Sequence, residues 1–359
     1  MHLSPTSCRL ASAAFLALAL LLSSCNGDDD GSSGDGTNTD CSTLAGNTAQ
    51  VVCFAEKFMA TLSTSQQGTV QYTFTATNAT NWSNLPVGDS PRNGIKFGDL
   101  SSSQLAAAQA LVVAALSTPG SGTFDSIRVA DEFLHTSTGN DGWGAGLYYI
   151  AFLGTPSTTS TWMLQLSGHH YALNMVYKGN PLPVSPTPFF VGVEPQEFTM
   201  DGVTYAPLNG RRDAIYAVIQ SLGAQQRAAA RLGASFDDVL LGPGQDGQFP
   251  AQEGLPVSSL SAAQHDLVKA AIGAWVRDAP EGLASVLLDV YESDAALAQT
   301  FVAWSGATTP TEAGSYVRID GPRVWIEFVC QNGVAFPTQI HFHTIWRDKT
   351  MDYGGSFSF

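Results

Sequence analysis

Apolar and polar positions alternate with a period of two through residues 316–355, and the alternation is clearest at residues 338–348. Ile340, Phe342 and Trp346 fall on one side, while Gln339, His341, His343 and Arg347 fall on the other. Residues 323–330 repeat the pattern, with Val324, Ile326, Phe328 and Cys330 inward and Arg323, Trp325, Glu327 and Val329 outward. Two half-buried strands are predicted, and together they place two histidines and a glutamate on one sheet face. Earlier in the chain the spacing is helical. Val51, Val52, Phe54, Ala55, Phe58, Met59 and Leu62 predict a helix over 48–62, and serines before Gln104 predict an N-cap for a second helix over 102–116. Strands follow at 147–153, 161–167 and 169–177, divided by Gly154-Thr155-Pro156 and by Gly168.

This order recurs. Leu62-Ser63 through Gln67 has a counterpart from Leu222 to Arg227, and Gly94-Ile95 through Gln104 has one from Gly254-Leu255 through Gln264. Phe152 to Pro156 corresponds to the stretch from Trp304 to Pro310, and Gly168-His169-His170 up to Asn174 corresponds to Gly321-Pro322-Arg323 up to Glu327. The expected fold is therefore α+β and internally duplicated. Each half is a pair of helices followed by an antiparallel meander, the halves cover 48–205 and 206–359, and they pack about a pseudo-two-fold axis. A ligand is expected in a cleft on that axis.

The repeat sets His170 opposite Arg323 and Asn174 opposite Glu327, and strand alternation puts His170 and Asn174 on one face with His169 pointing away. A bulge at Gly168 would reverse that choice. His170, His341, His343 and Glu327 form a candidate ligand set for one transition metal ion. Imidazoles with a single carboxylate suit zinc, iron or copper rather than calcium, and an open position would let bound water react near neutral pH. The competing reading is a polar face on which the histidines hydrogen-bond to Glu327, Gln339 and Asn174 without metal. Glu327 and Arg347 are the candidate catalytic groups. Arg92, Asn174, Arg318, Arg323 and Trp325 are candidate ligand-binding residues, since arginines beside Trp325 and Tyr316 could hold a small anion or a sugar. Pairing with Asp320, Asp348 and Asp352 is the simpler fate of those arginines. No nucleophile elbow, phosphate loop, dinucleotide fingerprint or His-Glu-x-x-His helix occurs.

Residues 1–25 read as an export signal: Arg9, an apolar run over 10–22, then Leu22-Ser23-Ser24-Cys25, which predicts a lipid attached at Cys25. Asn26 after that cysteine favours the outer membrane. Residues 26–47, with Asp28-Asp29-Asp30, read as a flexible acidic tether. The formal charge of −15 argues against nucleic acid as a partner. Cys41 and Cys53 could close a short disulfide loop in an oxidising envelope, leaving Cys330 as a buried thiol; by counting alone, Cys330 could equally bridge to either.

Several motifs together resemble the domain-of-unknown-function 3500 family of bacterial exported proteins. They are Trp82 with Arg92 and Gly94; Gly154 with Pro156; Trp162 through Gly168-His169-His170 and Asn174; and Pro188-Phe189-Phe190 with Gly192 and Pro195. Tyr316 to Ile319 with Gly321-Pro322, Ile326-Glu327, and His341-Phe342-His343-Thr344-Ile345-Trp346-Arg347-Asp348 with Asp352-Tyr353-Gly354 complete the set. The resemblance spans residues 53–355 and implies membership without a reaction. The function expected from the sequence is a lipid-anchored envelope protein acting as a metal-dependent hydrolase or oxidoreductase. The alternative is a non-catalytic solute-binding lipoprotein for an anionic or saccharide ligand.

Overall fold

Ser63, Ser101 and Ser261 each start a helix in the same way. The serine hydroxyl accepts the backbone N–H three residues on, and the glutamine at that position bonds back to the serine N–H. Across the helices, Gln104 Nε2 donates to the Thr61 carbonyl at 2.9 Å and Gln264 Nε2 donates to the Ser221 carbonyl at 3.0 Å. Local capping thus becomes helix-to-helix docking twice, at matching places.

The computed structural model describes residues 39–359. The predicted signal, Cys25 and the tether up to residue 38 lie outside the described residues. In chain order come α1 (Asn47–Thr61), α2 (Thr64–Val70), β1 (Gln71–Tyr72), α3 (Ala76–Ala79), β2 (Ile95–Lys96), α4 (Ser102–Ala115), α5 (Thr118–Thr138) and strands β3 (Tyr149–Leu153), β4 (Thr161–Gly168), β5 (Tyr171–Lys178) and β6 (Phe189–Val193). A small hairpin, β7 (Phe198–Met200) with β8 (Val203–Tyr205), leads to α6 (Asn209–Ser221), α7 (Ala224–Ala230), β9 (Leu255–Pro256), α8 (Ala262–Val276), α9 (Glu281–Tyr291) and α10 (Asp294–Leu297). The chain finishes its sheet with β10 (Phe301–Ser305), β11 (Tyr316–Asp320), β12 (Val324–Asn332) and β13 (Ile340–Asp348).

The class is α+β, as the periodicity predicts. One sheet runs β1-β3-β4-β5-β6-β13-β12-β11-β10-β9, with β2 also on β3, so the two meanders join through the antiparallel pair β6 and β13. Sequence landmarks that recur occupy matching positions in it. Gly94 and Gly254, both at positive φ, lie against the backbone of β3 and β10, where a Cβ would meet Ile150 O at 2.2 Å and Val302 O at 2.5 Å. Only glycine fits either position.

One sheet face carries Phe152, Leu164, Leu173, Phe189, Ile326, Phe328, Phe342 and Trp346 under the helices. The other carries Met163, Ala172, Phe190, Tyr316, Val329 and Ile345, and it too is buried, beneath Trp82, Phe236, Val239 and Tyr353 from loops. The alternation therefore assigns the faces correctly, but the expectation of a solvent-facing side fails. Loops of more than twenty residues around 73–94 and 231–254 fold over it, and their apolar positions have no period to betray them. Cys41 and Cys53 form a disulfide with Cα atoms 5.5 Å apart, and Cys330 is a buried free thiol.

Candidate metal centre

β4 and β5 are joined by a turn of two residues, His169 and His170. The predicted strand over 169–177 in fact starts at Tyr171, because His170 adopts φ 62°, in the left-handed region. A non-glycine residue held there costs about 1 kcal/mol or more and persists only when its surroundings fix it. Here the His170 N–H donates to Asn84 O at 3.1 Å, and its carbonyl accepts Gly192 N–H at 2.8 Å. The turn, rather than strand alternation, sends the His170 ring to β13.

His341 and His343, two residues apart on β13, face the same way and meet it. One ligand nitrogen from each of His170, His341 and His343 lies within 4.8 Å of the other two. His170 Nε2 and His341 Nε2 are 2.8 Å apart. A tetrahedral ion with metal–nitrogen bonds of ~2.0–2.1 Å sets its ligand nitrogens about 3.3 Å apart, so small rotations of the rings would admit one. His341 Nδ1 and His343 Nε2 are buried with no hydrogen-bonding partner among the described residues. Burial, then the adjoining imidazoles, pushes His170 well below the usual histidine range, and burial does the same to His341. Both are therefore neutral at pH 7, the form that ligates metal.

Glycine makes the approach of these rings feasible. In the otherwise apolar β6, a Cβ at Gly192 would meet His170 Cδ2 at 2.7 Å and His343 Cδ2 at 2.9 Å. Gly192→Ala should cost about 1–3 kcal/mol through overpacking and should weaken zinc binding several-fold, read by urea denaturation and by competition with a fluorescent chelator. An unchanged zinc affinity would show that the rings do not act as a set.

Carboxylates stand behind the imidazoles. His343 Nδ1 lies 2.8 Å from Asp238 Oδ1, leaving Nε2 for a metal, and His341 Nδ1 lies 3.9 Å from Glu194 Oε2. Partial burial pushes the Asp238 carboxyl up, but the bond to His343 and the Val239 N–H hold it below its usual range. Neighbouring His169 points to α5, where Nδ1 lies 2.6 Å from Asp131 Oδ1, and its ring stacks on His170 with centroids 3.7 Å apart. Asp238, Glu194, Asp131 and Gly192 escape a reading by periodicity. Three are acids on loops or helices outside any periodic pattern, and the fourth is a glycine inside an apolar strand.

Glu327 shares the sheet face but does not join the imidazoles. Its carboxylate is fully buried and accepts four donors: Trp325 Nε1 at 2.7 Å, the N–H groups of Leu240 and Leu241 at 2.5 and 2.9 Å, and Tyr316 OH at 2.9 Å. Burial raises its carboxyl above the usual range, against the pull of those donors. With its oxygens so used, Glu327 anchors the loop that brings Asp238 to His343; it is no ligand.

Arg347 anchors the same loop. Its Nε donates to Leu241 O at 2.7 Å, Nη2 to Gly242 O at 3.0 Å, and Nη1 to Asp246 at 2.9 Å and Asp352 at 3.0 Å. The other sequence candidates are likewise engaged, and no shared anion pocket forms. Arg323 pairs with Asp348, and Arg318 lies over the Trp325 ring and reaches Glu253 at 3.2 Å. Arg92 binds Ser167 Oγ at 3.1 Å and the carbonyls of the loop over 83–90, while buried Asn174 links Gln165 to Pro188 O.

An α+β protein with one large mixed sheet and a buried three-histidine cluster is the class these features define. The chain belongs to the family described as protein of unknown function (DUF3500), whose model matches residues 45–355. No curated protein and no solved structure matches it.

Proposed function

We propose that the protein is a metal-dependent enzyme of the cell envelope whose centre is one transition metal ion, zinc first, held by His170, His341 and His343. The observation that carries this is the convergence of three buried imidazoles from segments 171 residues apart, one of which, His343, has its ring orientation fixed by a hydrogen bond to Asp238. Three protein nitrogens leave room for a water, and a bound ion would supply an acidified water or a polarised carbonyl. The chain's own part is to hold the rings in a dry setting, with Asp238 keeping the proton of His343 on Nδ1. A lipid at Cys25 would hold the centre at the membrane surface, and the Cys41–Cys53 disulfide fits the oxidising compartment this requires. The matched order of elements in the two meanders supports an internal duplication in which only the first hairpin turn carries His-His; its counterpart carries Pro322-Arg323.

Cobalt(II) substitution tests the open position. The visible spectrum should be that of a four- or five-coordinate ion and should change on adding azide. A spectrum indifferent to azide would mean a closed, structural site.

A further inference from the structure

An imidazole turns about its Cβ–Cγ bond in a broad, roughly two-fold well, so a ligating ring needs something beside it to hold its plane. His343 has the bond to Asp238 for this. His170 has no such carboxylate: among the described residues its side chain hydrogen-bonds only to His341, another ligand of the same set. What lies flat against it is the ring of His169, the neighbour that strand alternation points away from the site. Their centroids are 3.7 Å apart and their planes 27° from parallel, which is van der Waals contact face to face.

His169 can bear on His170 because it is itself held. Its Nδ1 lies 2.6 Å from Asp131 Oδ1, and the other oxygen of that carboxylate accepts the Gly144 N–H at 3.0 Å, so both ends of Asp131 are engaged. Asp131, on α5, is 3% exposed and His169 is 6% exposed. The backbone of the turn is fixed as well. Tyr148 OH donates to the His169 carbonyl at 2.7 Å, and Gly168 rests on the Tyr148 ring, where a Cβ would come within 2.3 Å of Cδ1. The Trp143 ring lies nearly parallel to that of His169, with centroids 6.3 Å apart. A buried carboxylate on a helix, an imidazole bonded to it and the ring of a metal ligand therefore stand in series.

We propose that His169 is a positioning residue of the centre: anchored by Asp131, its ring holds the plane of His170 so that Nε2 stays turned toward His341. The role rests on metal binding by the three imidazoles, and it makes α5 the element that sets the geometry of one ligand. His169 takes no ion itself and acts only through His170.

Two variants separate the stack from the hydrogen bond. His169→Ala and His169→Phe both lose the bond to Asp131, but only the first loses a flat ring against His170. Zinc affinity of the whole protein, measured by competition with a chelating dye, should fall about 10–100-fold in His169→Ala, as when a ligand's supporting group is removed. Most of that loss should be recovered in His169→Phe. The visible bands of the cobalt(II) protein should shift in His169→Ala and keep their wild-type positions in His169→Phe, which a loss of stability common to both variants would not produce. Because each single variant strands the Asp131 carboxylate, the pair is also made in an Asp131→Leu background, where no buried charge is left alone, and the same contrast between alanine and phenylalanine is expected. Equal zinc affinity in the alanine and phenylalanine variants, whether both match the wild type or both fall, would overturn the proposal. A wild-type chain that binds no zinc would instead remove the centre itself, and this role with it.

Discussion

Arg347→Ala should destabilise the protein by about 3–5 kcal/mol, the range for removing one member of a buried ionic cluster. The guanidinium is fully buried and satisfies two carbonyls and two carboxylates, so its loss strands Asp246 and Asp352 in a dry setting and releases the loop at residues 241–246. Burial already lifts Asp352 to about 6 beside that arginine, and without it the carboxyl rises further. An acid whose folded value exceeds its unfolded one takes up protons on folding as pH falls, so the penalty is largest above pH 6 and shrinks below it. Urea denaturation of both proteins at pH 7.5 and pH 5.5 checks the magnitude and the sign. A cost below about 1 kcal/mol at pH 7.5 would place Arg347 among ordinary surface arginines.

Asp238→Ala should lower metal affinity by about 10–100-fold, the usual effect of losing a carboxylate behind a ligating histidine. Its side chain is half exposed, and its bond to His343 Nδ1 settles which ring nitrogen is left for the ion. Without it His343 can carry its proton on Nε2, where it blocks coordination. Stability of the metal-free protein should move by no more than about 0.5 kcal/mol, as for other surface sites. Asp238→Asn can still accept the Nδ1–H bond and should recover part of the affinity. Isothermal titration with zinc separates these effects, and equal affinity in all three proteins would remove Asp238 from the centre.

Period-two alternation reveals which way each β12 and β13 residue points, because a strand fixes that locally, and His341, His343, Glu327 and Arg347 do lie on one face. His170 is legible through the repeat, although a left-handed turn rather than a strand delivers its ring. Alternation says nothing about what covers a face. Glu327 and Arg347 look like reactive groups in sequence, but they hold loop backbone that carries no periodic signal, and Asp238 arrives on that loop from about a hundred residues away. The candidate arginines follow the same logic, since a nearby carboxylate or a backbone carbonyl pairs with each one.

Metal content is the direct test. Protein loaded with zinc and passed through a desalting column should retain about one ion per chain by elemental analysis, the number one three-histidine centre holds, and none when His341 and His343 are both alanine in a chain that still melts cooperatively. A wild-type chain that retains no zinc, iron or copper, or a double variant that retains as much, would contradict the three-histidine centre.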